Sequence, residues 1–173
     1  MRTYICKYKT PGGFDDLVMC GDDEALTGLW FEGSRDGLRA TSGYERRETP
    51  VFRDTRRWLD GYFAGRDPGF TPDYRIEGLT PFRQAVIDEM QRIPYGATVS
   101  YGDIARAIAR KRGGRVSAQA VGGAVGHNPV SLIIPCHRVI GANRALVGYG
   151  GGLERKSALL ELEHADLSGD FVP

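Results

Sequence analysis

A stretch rich in proline and glycine near the middle of the chain separates two parts with different residue patterns. Residues 65–73 hold two prolines and two glycines, which favour turns and interrupt helices and strands. Polar and apolar residues alternate near the N-terminus as in half-buried strands, whereas apolar residues recur at helical spacing after this stretch. We therefore predict two domains, residues 1–75 and 78–173, in a mixed α/β (α+β) fold.

The first domain is predicted to be a small three-stranded sheet followed by one helix. The strand candidates are residues 2–9, 14–20 and 25–32. Thr49-Pro50 is typical of a helix start, because threonine can cap the first turn and proline is tolerated at the first helical position. The helical spacing then continues to Gly65.

The second domain is predicted to be mainly helical, with two helices in helix-turn-helix order. Thr80-Pro81 repeats the cap-and-proline pattern, and Ser100 with Asp103 forms a capping box ahead of another helix. A basic turn, residues 111–115, joins that helix to a segment of small residues, 117–125. This order is typical of DNA-binding domains, although a tight helix–helix contact in a core would produce the same pattern.

The C-terminal part of the second domain is expected to contain a strand and a helix. Residues 131–135 predict a short buried strand that leads into Cys136, and a final helix is expected over 153–165.

Composition excludes several classes of protein. The chain has 173 residues with 41% hydrophobic and 26% charged residues, which is typical of a globular protein. It contains no apolar run of about 18 residues and no secretory leader pattern, so we expect neither a membrane span nor secretion. Three cysteines without CxxC spacing and three histidines favour free thiols in a reducing compartment and no metal site. The expected location is the cytoplasm, or the nucleus in a eukaryote.

Positive charge is concentrated in the second domain. Between Arg92 and Arg144 there are eight basic residues and one acidic residue, a net charge of +7, although the whole chain carries only +1. This density is typical of a protein that binds a phosphate backbone, and a solvated basic face is the alternative.

Cys136 is the cysteine with the most reactive sequence environment. A thiol reacts as its thiolate, and its ordinary pKa of about 8.5 is lowered by nearby positive charge, which His137 and Arg138 could supply. Consecutive side chains point in different directions, so His137 is expected to accept the thiol proton through a water molecule rather than directly. A buried cysteine beside a structural histidine is the alternative. A carboxylate that orients the imidazole would come from the last helix, where the candidates are Glu154, Glu161 and Glu163.

Residues 134–140, Ile-Pro-Cys-His-Arg-Val-Ile, resemble the active-site signature of the O6-alkylguanine-DNA alkyltransferases, also called methylated-DNA–protein-cysteine methyltransferases. The resemblance extends over about residues 78–165 through motifs in the family's order and spacing: Thr80–Arg83, Pro94–Gly96, Val99–Gly102, Ala120–Ala124, Gly126–Pro129, Gly148-Tyr149, Gly151–Leu153 and Lys156.

The resemblance implies a ribonuclease-H-like N-terminal domain and a winged helix-turn-helix-like C-terminal domain that repairs DNA. It also implies the stand-alone form of the enzyme, without the zinc-binding phosphotriester-repair domain. Its substrate would be double-stranded DNA containing O6-alkylguanine, bound through the minor groove, with O4-alkylthymine as a second candidate. The damaged base lies inside the duplex, so it must be flipped out.

The family's catalytic roles carry over to four residues. Cys136 would take the alkyl group, His137 would accept the thiol proton through water, and Glu163 would hold His137. Glu163 is chosen over Glu161 by the family's spacing from Gly152-Leu153. Tyr101 would protonate the leaving guanine. Without the resemblance, Tyr101 would be read as a packed aromatic residue and Glu163 as a solvated carboxylate.

The family's DNA-binding and pocket positions carry over in the same way. The helix that enters the minor groove, with the turn before it, would contact DNA through Ala118, Gln119, Gly122, Gly123 and Arg115. Small residues there permit close approach to DNA. The pocket and its hinge would use Asn128, Val139, Tyr149 and Gly150, although Asn128-Pro129 alone would also start a turn.

Two positions depart from the family pattern. Many members carry arginine where this chain has Gln119, which is uncharged and shorter, so base flipping or affinity is expected to differ. Gly150 replaces a serine that hydrogen-bonds guanine in some members, which predicts a wider pocket that tolerates larger alkyl groups.

The chemistry implies a single turnover, because nothing in the sequence suggests a group that cleaves the thioether product. We expect no cofactor, a monomer, and an alkylated product that is less stable than the free protein. Three alternatives remain: a lesion-recognition module without transferase activity, a winged-helix regulator, and a Cys-His hydrolase, which would turn over many substrates.

Overall fold

The computed structural model describes residues 2–34 and 43–165, which form two compact units. The first unit contains the described residues up to Glu77 together with Pro129–Ile133. The second contains Gly78–Asn128 and the described residues from Ile134 onward. The chain therefore passes between the units near residue 77 and again on either side of residues 129–133.

The first unit is built on a four-stranded sheet with the order β3-β2-β1-β4. The strands are β1 (Tyr4–Tyr8), β2 (Leu17–Gly21), β3 (Leu26–Phe31) and β4 (Glu45–Arg46). Strand β2 is antiparallel to β1 and β3, whereas β4 runs parallel to β1. The sequence analysis predicts only three strands, because β4 is two exposed charged residues with no apolar pattern.

Helix α1 (Pro50–Phe63) begins where the sequence predicts it. The Thr49 side chain accepts a hydrogen bond from the backbone of Phe52 at the first turn. Tyr8 of β1 donates a hydrogen bond of 2.8 Å to Asp60, and its ring stacks on Phe63 at 6.0 Å between centroids. These contacts, with fully buried side chains on β2 and α1, form the core of this unit.

The predicted strand at 131–135 is wrong. Leu132 has a left-handed φ of 70°, so the backbone turns there instead of continuing as a strand. An extended bridge lies at the start of this segment, where Val130, just before the predicted strand, pairs in parallel with Leu29 on β3. The Leu29 backbone donates to the Pro129 carbonyl at 2.9 Å and accepts from Ser131 at 2.8 Å, which assigns this segment to the first unit rather than the second.

The second unit holds four helices and a two-stranded parallel pair. The helices are α2 (Pro81–Gln91), α3 (Tyr101–Arg112), α4 (Ala118–Val125) and α5 (Leu153–Leu162), and the pair joins β5 (Val99–Ser100) to β6 (Val139–Ile140). Short 3-10 turns lie at Cys136–Arg138 and Ala142–Arg144. Helix α5 ends three residues before the predicted position, with Glu163 as its C-cap.

Side-chain caps set the starts of α2, α3 and α4. Thr80 and Ser117 each accept one backbone hydrogen bond, from Arg83 and Ala120. Ser100 and Asp103 form the predicted capping box, in which each side chain accepts from the backbone of the other residue. Because these bonds join residues three apart, the sequence alone is enough to locate them.

The substitution Ser100→Ala is expected to lower the free energy of unfolding by about 1 kcal/mol, because it removes one half of the capping box on α3. Ser100→Thr retains a hydroxyl acceptor and is the matched control, with an expected change of a few tenths of a kcal/mol. Urea unfolding followed by circular dichroism measures both. Equal effects of the two substitutions would contradict the capping role.

Candidate active site

Cys136 lies in a tight 3-10 turn that also contains His137 and Arg138. The turn is closed by two backbone hydrogen bonds, from Cys136 to the Ile134 carbonyl at 2.8 Å and from Arg138 to the Pro135 carbonyl at 3.0 Å. The three side chains are all buried, and His137 is fully inaccessible to solvent. A thiol, an imidazole and a guanidinium therefore project from one turn of the chain into the protein interior.

The Glu163 carboxylate, at the end of α5, binds both His137 and Arg138. Glu163 Oε1 lies 2.6 Å from His137 Nε2. Arg138 donates to both carboxylate oxygens, at 2.8 Å from Nε and 3.1 Å from Nη2. Glu163 is 3% exposed, so this is a buried ion pair in which both oxygens have donors.

Residues just after α2 complete the surroundings of this ion pair. The Gly96 backbone donates to Glu163 Oε2 at 3.0 Å, and Arg138 Nη1 donates to the Ile93 carbonyl at 2.9 Å. The Tyr95 ring lies 5.6 Å from the centre of the Arg138 guanidinium. The turn after α2, the end of α5 and the 3-10 turn are thus joined through one carboxylate.

The charge state of the pair follows from these contacts. Burial alone would raise the pKa of Glu163, but the hydrogen bonds from His137 and Arg138 and the charge of Arg138 outweigh it and lower the pKa to about 2. Burial lowers the pKa of His137, against the opposing effect of Glu163. At neutral pH Glu163 is therefore ionised and His137 uncharged. Nε2 then carries the proton that is donated to Glu163.

Lys156 of α5 is a second buried cation near the cysteine. Its ammonium donates to the carbonyls of Val139 and Val147 and is fully enclosed. Burial lowers the pKa of Lys156 to about 8, although the nearby Cys136 opposes this shift. Lys156 thus ties the strand after the 3-10 turn to the loop before α5.

Two tyrosines lie close enough to Cys136 to be affected by its charge. Tyr101 donates to the Gly148 carbonyl at 3.0 Å and lies 3.2 Å from the Val147 carbonyl. Gly148 has a left-handed φ of 56°, and a Cβ there would lie 3.3 Å from the Tyr101 hydroxyl, so glycine permits this close approach. Burial first, and then the charge of Cys136, raise the pKa of both Tyr101 and Tyr149, so both phenols are protonated at neutral pH.

Asn128 links the end of the α4 segment to the residues before the cysteine. It is buried, and its side-chain amide donates to the Ile134 carbonyl at 2.8 Å. Val139 is buried in β6, with its carbonyl bound by Lys156. The structure therefore places Asn128 and Val139 next to the residues that flank the 3-10 turn, and Tyr101 and Tyr149 near Cys136.

The predicted DNA-binding positions lie on the outside of the helix-turn-helix. Ala118, Gln119 and Gly123 are exposed on α4, and a Cβ added to Gly123 would meet nothing within 4 Å. Gly122 is half-buried, and a Cβ there would lie 3.8 Å from the Tyr101 ring. Arg115 is exposed in the turn between α3 and α4, and Gly150 is exposed in the loop before α5.

Two further findings concern metals and membranes. Within residues 2–34 and 43–165, no three His, Cys, Asp or Glu side chains are grouped as they would be to hold a metal ion. None of the helices in the part of the chain that the structure describes is both long and apolar enough to cross a membrane.

Comparison with known proteins identifies the family. The model of the 6-O-methylguanine DNA methyltransferase DNA-binding domain matches residues 81–165. A methylated-DNA–protein-cysteine methyltransferase of Mycobacterium tuberculosis is 50% identical over 161 residues, which cover 90% of each chain. This chain belongs to the methylated-DNA–protein-cysteine methyltransferase family. A methyltransferase of Haemophilus influenzae is 39% identical over 92% of this chain and 86% of its own.

Solved structures of such methyltransferases share the fold. A single-residue variant of the M. tuberculosis O6-methylguanine methyltransferase superposes with a TM-score of 0.79 at 37% identity, covering 97% of this chain and 96% of its own. The M. tuberculosis enzyme in complex with DNA also gives a TM-score of 0.79, at 38% identity over 93% and 92% of the two chains. The mixed α/β fold class and the family predicted from the sequence are confirmed.

Sequence reasoning missed the partner of Arg138 in this methyltransferase. From the sequence, the positive charge of Arg138 is expected to lower the pKa of the Cys136 thiol, whereas in the structure the Arg138 guanidinium binds Glu163. The sequence also indicates no role for Lys156 or the Gly96 backbone. The one signal in the sequence is that Arg138 directly follows Cys-His and lies among apolar residues. Such a position indicates a buried arginine, which needs an anion as partner.

Acidification is expected to destabilise the methyltransferase through Glu163. Its pKa is lower in the folded chain, at about 2, than its ordinary value of 4.5, so the stability from this group is fully present above pH 4.5 and is lost as the pH falls towards 2. The loss amounts to about 3 kcal/mol. Glu163→Gln should weaken folding at pH 7 but flatten the fall in melting temperature between pH 5 and pH 3.

The matched control is Glu161→Gln, two residues away on α5, which should keep the wild-type slope. If Glu163→Gln keeps that slope as well, Glu163 is not the group that carries the acid sensitivity.

Proposed function

We propose that this protein repairs O6-alkylguanine in double-stranded DNA by moving the alkyl group to Cys136 in a single, irreversible step. The observation that carries the proposal is a buried thiol in the same turn as an uncharged histidine, whose Nε2 is held by a buried, ionised Glu163. A nucleophile, a base and a group that orients the base are the elements of nucleophilic catalysis.

The transfer is an in-line displacement at the alkyl carbon. The Cys136 thiol loses its proton to His137 through a bridging water, and the sulfur forms a bond to the carbon. The bond between that carbon and guanine O6 breaks, with its electron pair going to the guanine. The guanine gains one proton from Tyr101, and the proton taken up by His137 replaces it, so the products are S-alkylcysteine and unmodified guanine.

Tyr101 is the proposed proton donor to the leaving guanine. Its pKa is raised by burial, so the phenol holds its proton at neutral pH. The proton is now donated to the Gly148 carbonyl, and donation to guanine would require the hydroxyl to exchange this partner for the flipped base.

The proposed DNA contacts use the outside of α3 and α4. Ala118, Gly122 and Gly123 leave little side-chain bulk on α4, which suits close approach to a minor groove. Gln119, exposed on the same helix, would occupy the space of the flipped base, and Arg115 would add charge near the phosphates. The pocket for the base would be formed by Asn128, Val139, Tyr149 and Gly150.

The proposal also holds that the protein has two domains, is a monomer in the cytoplasm and needs no metal or cofactor. O4-alkylthymine is a second candidate substrate. These parts of the proposal rest on the sequence and on the chemistry of the thioether product, and they stay predictions.

The mass of the intact protein after mixing with excess duplex DNA containing O6-methylguanine tests the transfer. A gain of about 14 Da, one methyl replacing one hydrogen, is expected once per chain. The gain should be absent in Cys136→Ala, and present in Cys20→Ala, the control for a buried thiol elsewhere. Binding of the duplex without a mass gain would leave a lesion-recognition module and overturn the proposal.

Gly150 predicts tolerance for alkyl groups larger than methyl. Gly150→Ser should slow benzyl transfer more than methyl transfer, because the added side chain narrows the proposed pocket. Single-turnover rates with O6-methylguanine and O6-benzylguanine duplexes give the ratio. An unchanged ratio in the variant would show that residue 150 does not set the size of the pocket.

A further inference from the structure

Arg138 is held more firmly than a residue that only fills space. Its guanidinium donates three hydrogen bonds, two to the Glu163 carboxylate and one to the Ile93 carbonyl, and it lies beside the Tyr95 ring. It is 8% exposed, so its charge is poorly screened by water. Arg138 directly follows His137 in the chain, and both side chains bind the same Glu163 carboxylate.

Without Arg138, the Glu163 carboxylate would change the protonation state of His137. An ionised Glu163 facing only His137 would favour the imidazolium, because opposite charges within hydrogen-bonding distance stabilise each other. An imidazolium has no lone pair with which to take the thiol proton. With Arg138 in place the pair Arg138–Glu163 is neutral, and adding a proton to His137 would place an extra positive charge in a buried site.

We propose that Arg138 is a positioning residue for the transfer, which neutralises Glu163 and so keeps His137 uncharged and able to accept the thiol proton. This inference rests on the proposed function of Cys136 and His137. It separates two tasks at Glu163: orienting the imidazole, which the carboxylate performs directly, and leaving the imidazole uncharged, to which burial contributes most and the Arg138 guanidinium adds.

The other charged groups around His137 do not replace Arg138. Glu163 and Lys156 face it from α5, and Cys136 lies in the same turn, with Tyr101 and Tyr149 near the thiol. Lys156 also lowers the pKa of His137, but less than Arg138 does. Its ammonium binds the carbonyls of Val139 and Val147, so it offers no hydrogen bond that neutralises the Glu163 carboxylate.

Nitrogen NMR of protein labelled in histidine measures the charge of His137 directly. The chain has only three histidines, and a His137→Asn variant assigns the signal. In the unreacted wild type, His137 should titrate below its ordinary value of 6.5. A wild-type His137 that titrates at or above its ordinary value of 6.5 would overturn the proposal without any Arg138 variant.

The variants separate charge from shape. Arg138→Met removes the charge and should raise the midpoint of the His137 titration by roughly 1–3 pH units. Arg138→Lys keeps the charge and should stay close to the wild type. Arg57→Met, which removes an exposed arginine that pairs with Asp54 on α1, is the matched control and should change nothing.

The transfer rate should follow the titration. Single-turnover rates of Arg138→Met at pH 6 should fall about tenfold relative to pH 8.5, beyond any change in the wild type, if the His137 midpoint in this variant reaches about 7. A uniform loss at every pH, or a charged His137 with undiminished transfer at pH 6, would overturn the inference. Failure of the wild type to gain a methyl group would instead overturn the proposed function, because the NMR titration does not depend on transfer.

Discussion

The buried carboxylate of Glu163 is the interaction on which the second unit of this methyltransferase depends. It is the point where the end of α5, the turn after α2 and the 3-10 turn of Cys136 meet. Burying an isolated carboxylate costs several kcal/mol, so a site of this kind is stable only when nearly all of the acceptor positions are occupied. Here the donors are an imidazole, a guanidinium and a backbone amide, and the loss of any one leaves a buried group without its partner.

The same carboxylate connects folding with chemistry. The carboxylate holds the imidazole in one orientation and one tautomer, which is the arrangement that the proposed proton acceptor needs before the substrate arrives. The cost of assembling three charged or polar groups inside the protein is met during folding, so it does not add to the barrier of the transfer. A second buried cation, Lys156, fixes the loop around Tyr101 in a similar way, through carbonyl groups rather than a carboxylate.

Local signals in the sequence predicted most of the helix starts and the family. Thr49, Thr80 and Ser100 act on residues three positions away, and the Pro-Cys-His-Arg run is contiguous. The interactions that the sequence could not supply are long-range. Arg138 meets Glu163 across 25 residues, and β4 is recognisable only by its pairing with β1. The strand predicted at 131–135 failed because its apolar residues are buried around a left-handed turn at Leu132, and burial alone gives the same composition as a strand.

The segment Pro129–Ile133 belongs to the first unit and pairs with Leu29 of β3 through residues 129–131, although the chain on both sides of it belongs to the second unit. The hydrogen bond from the Asn128 side chain to the Ile134 carbonyl joins the two residues that flank this segment. A fragment that starts at residue 78 would therefore keep the helix-turn-helix and the cysteine, but the backbone groups of Pro129 and Ser131 would lose their partners on Leu29. The segment that leads into Cys136 thus takes its backbone partners from the N-terminal sheet, so cutting the chain at residue 78 removes hydrogen bonds from the part that carries the cysteine.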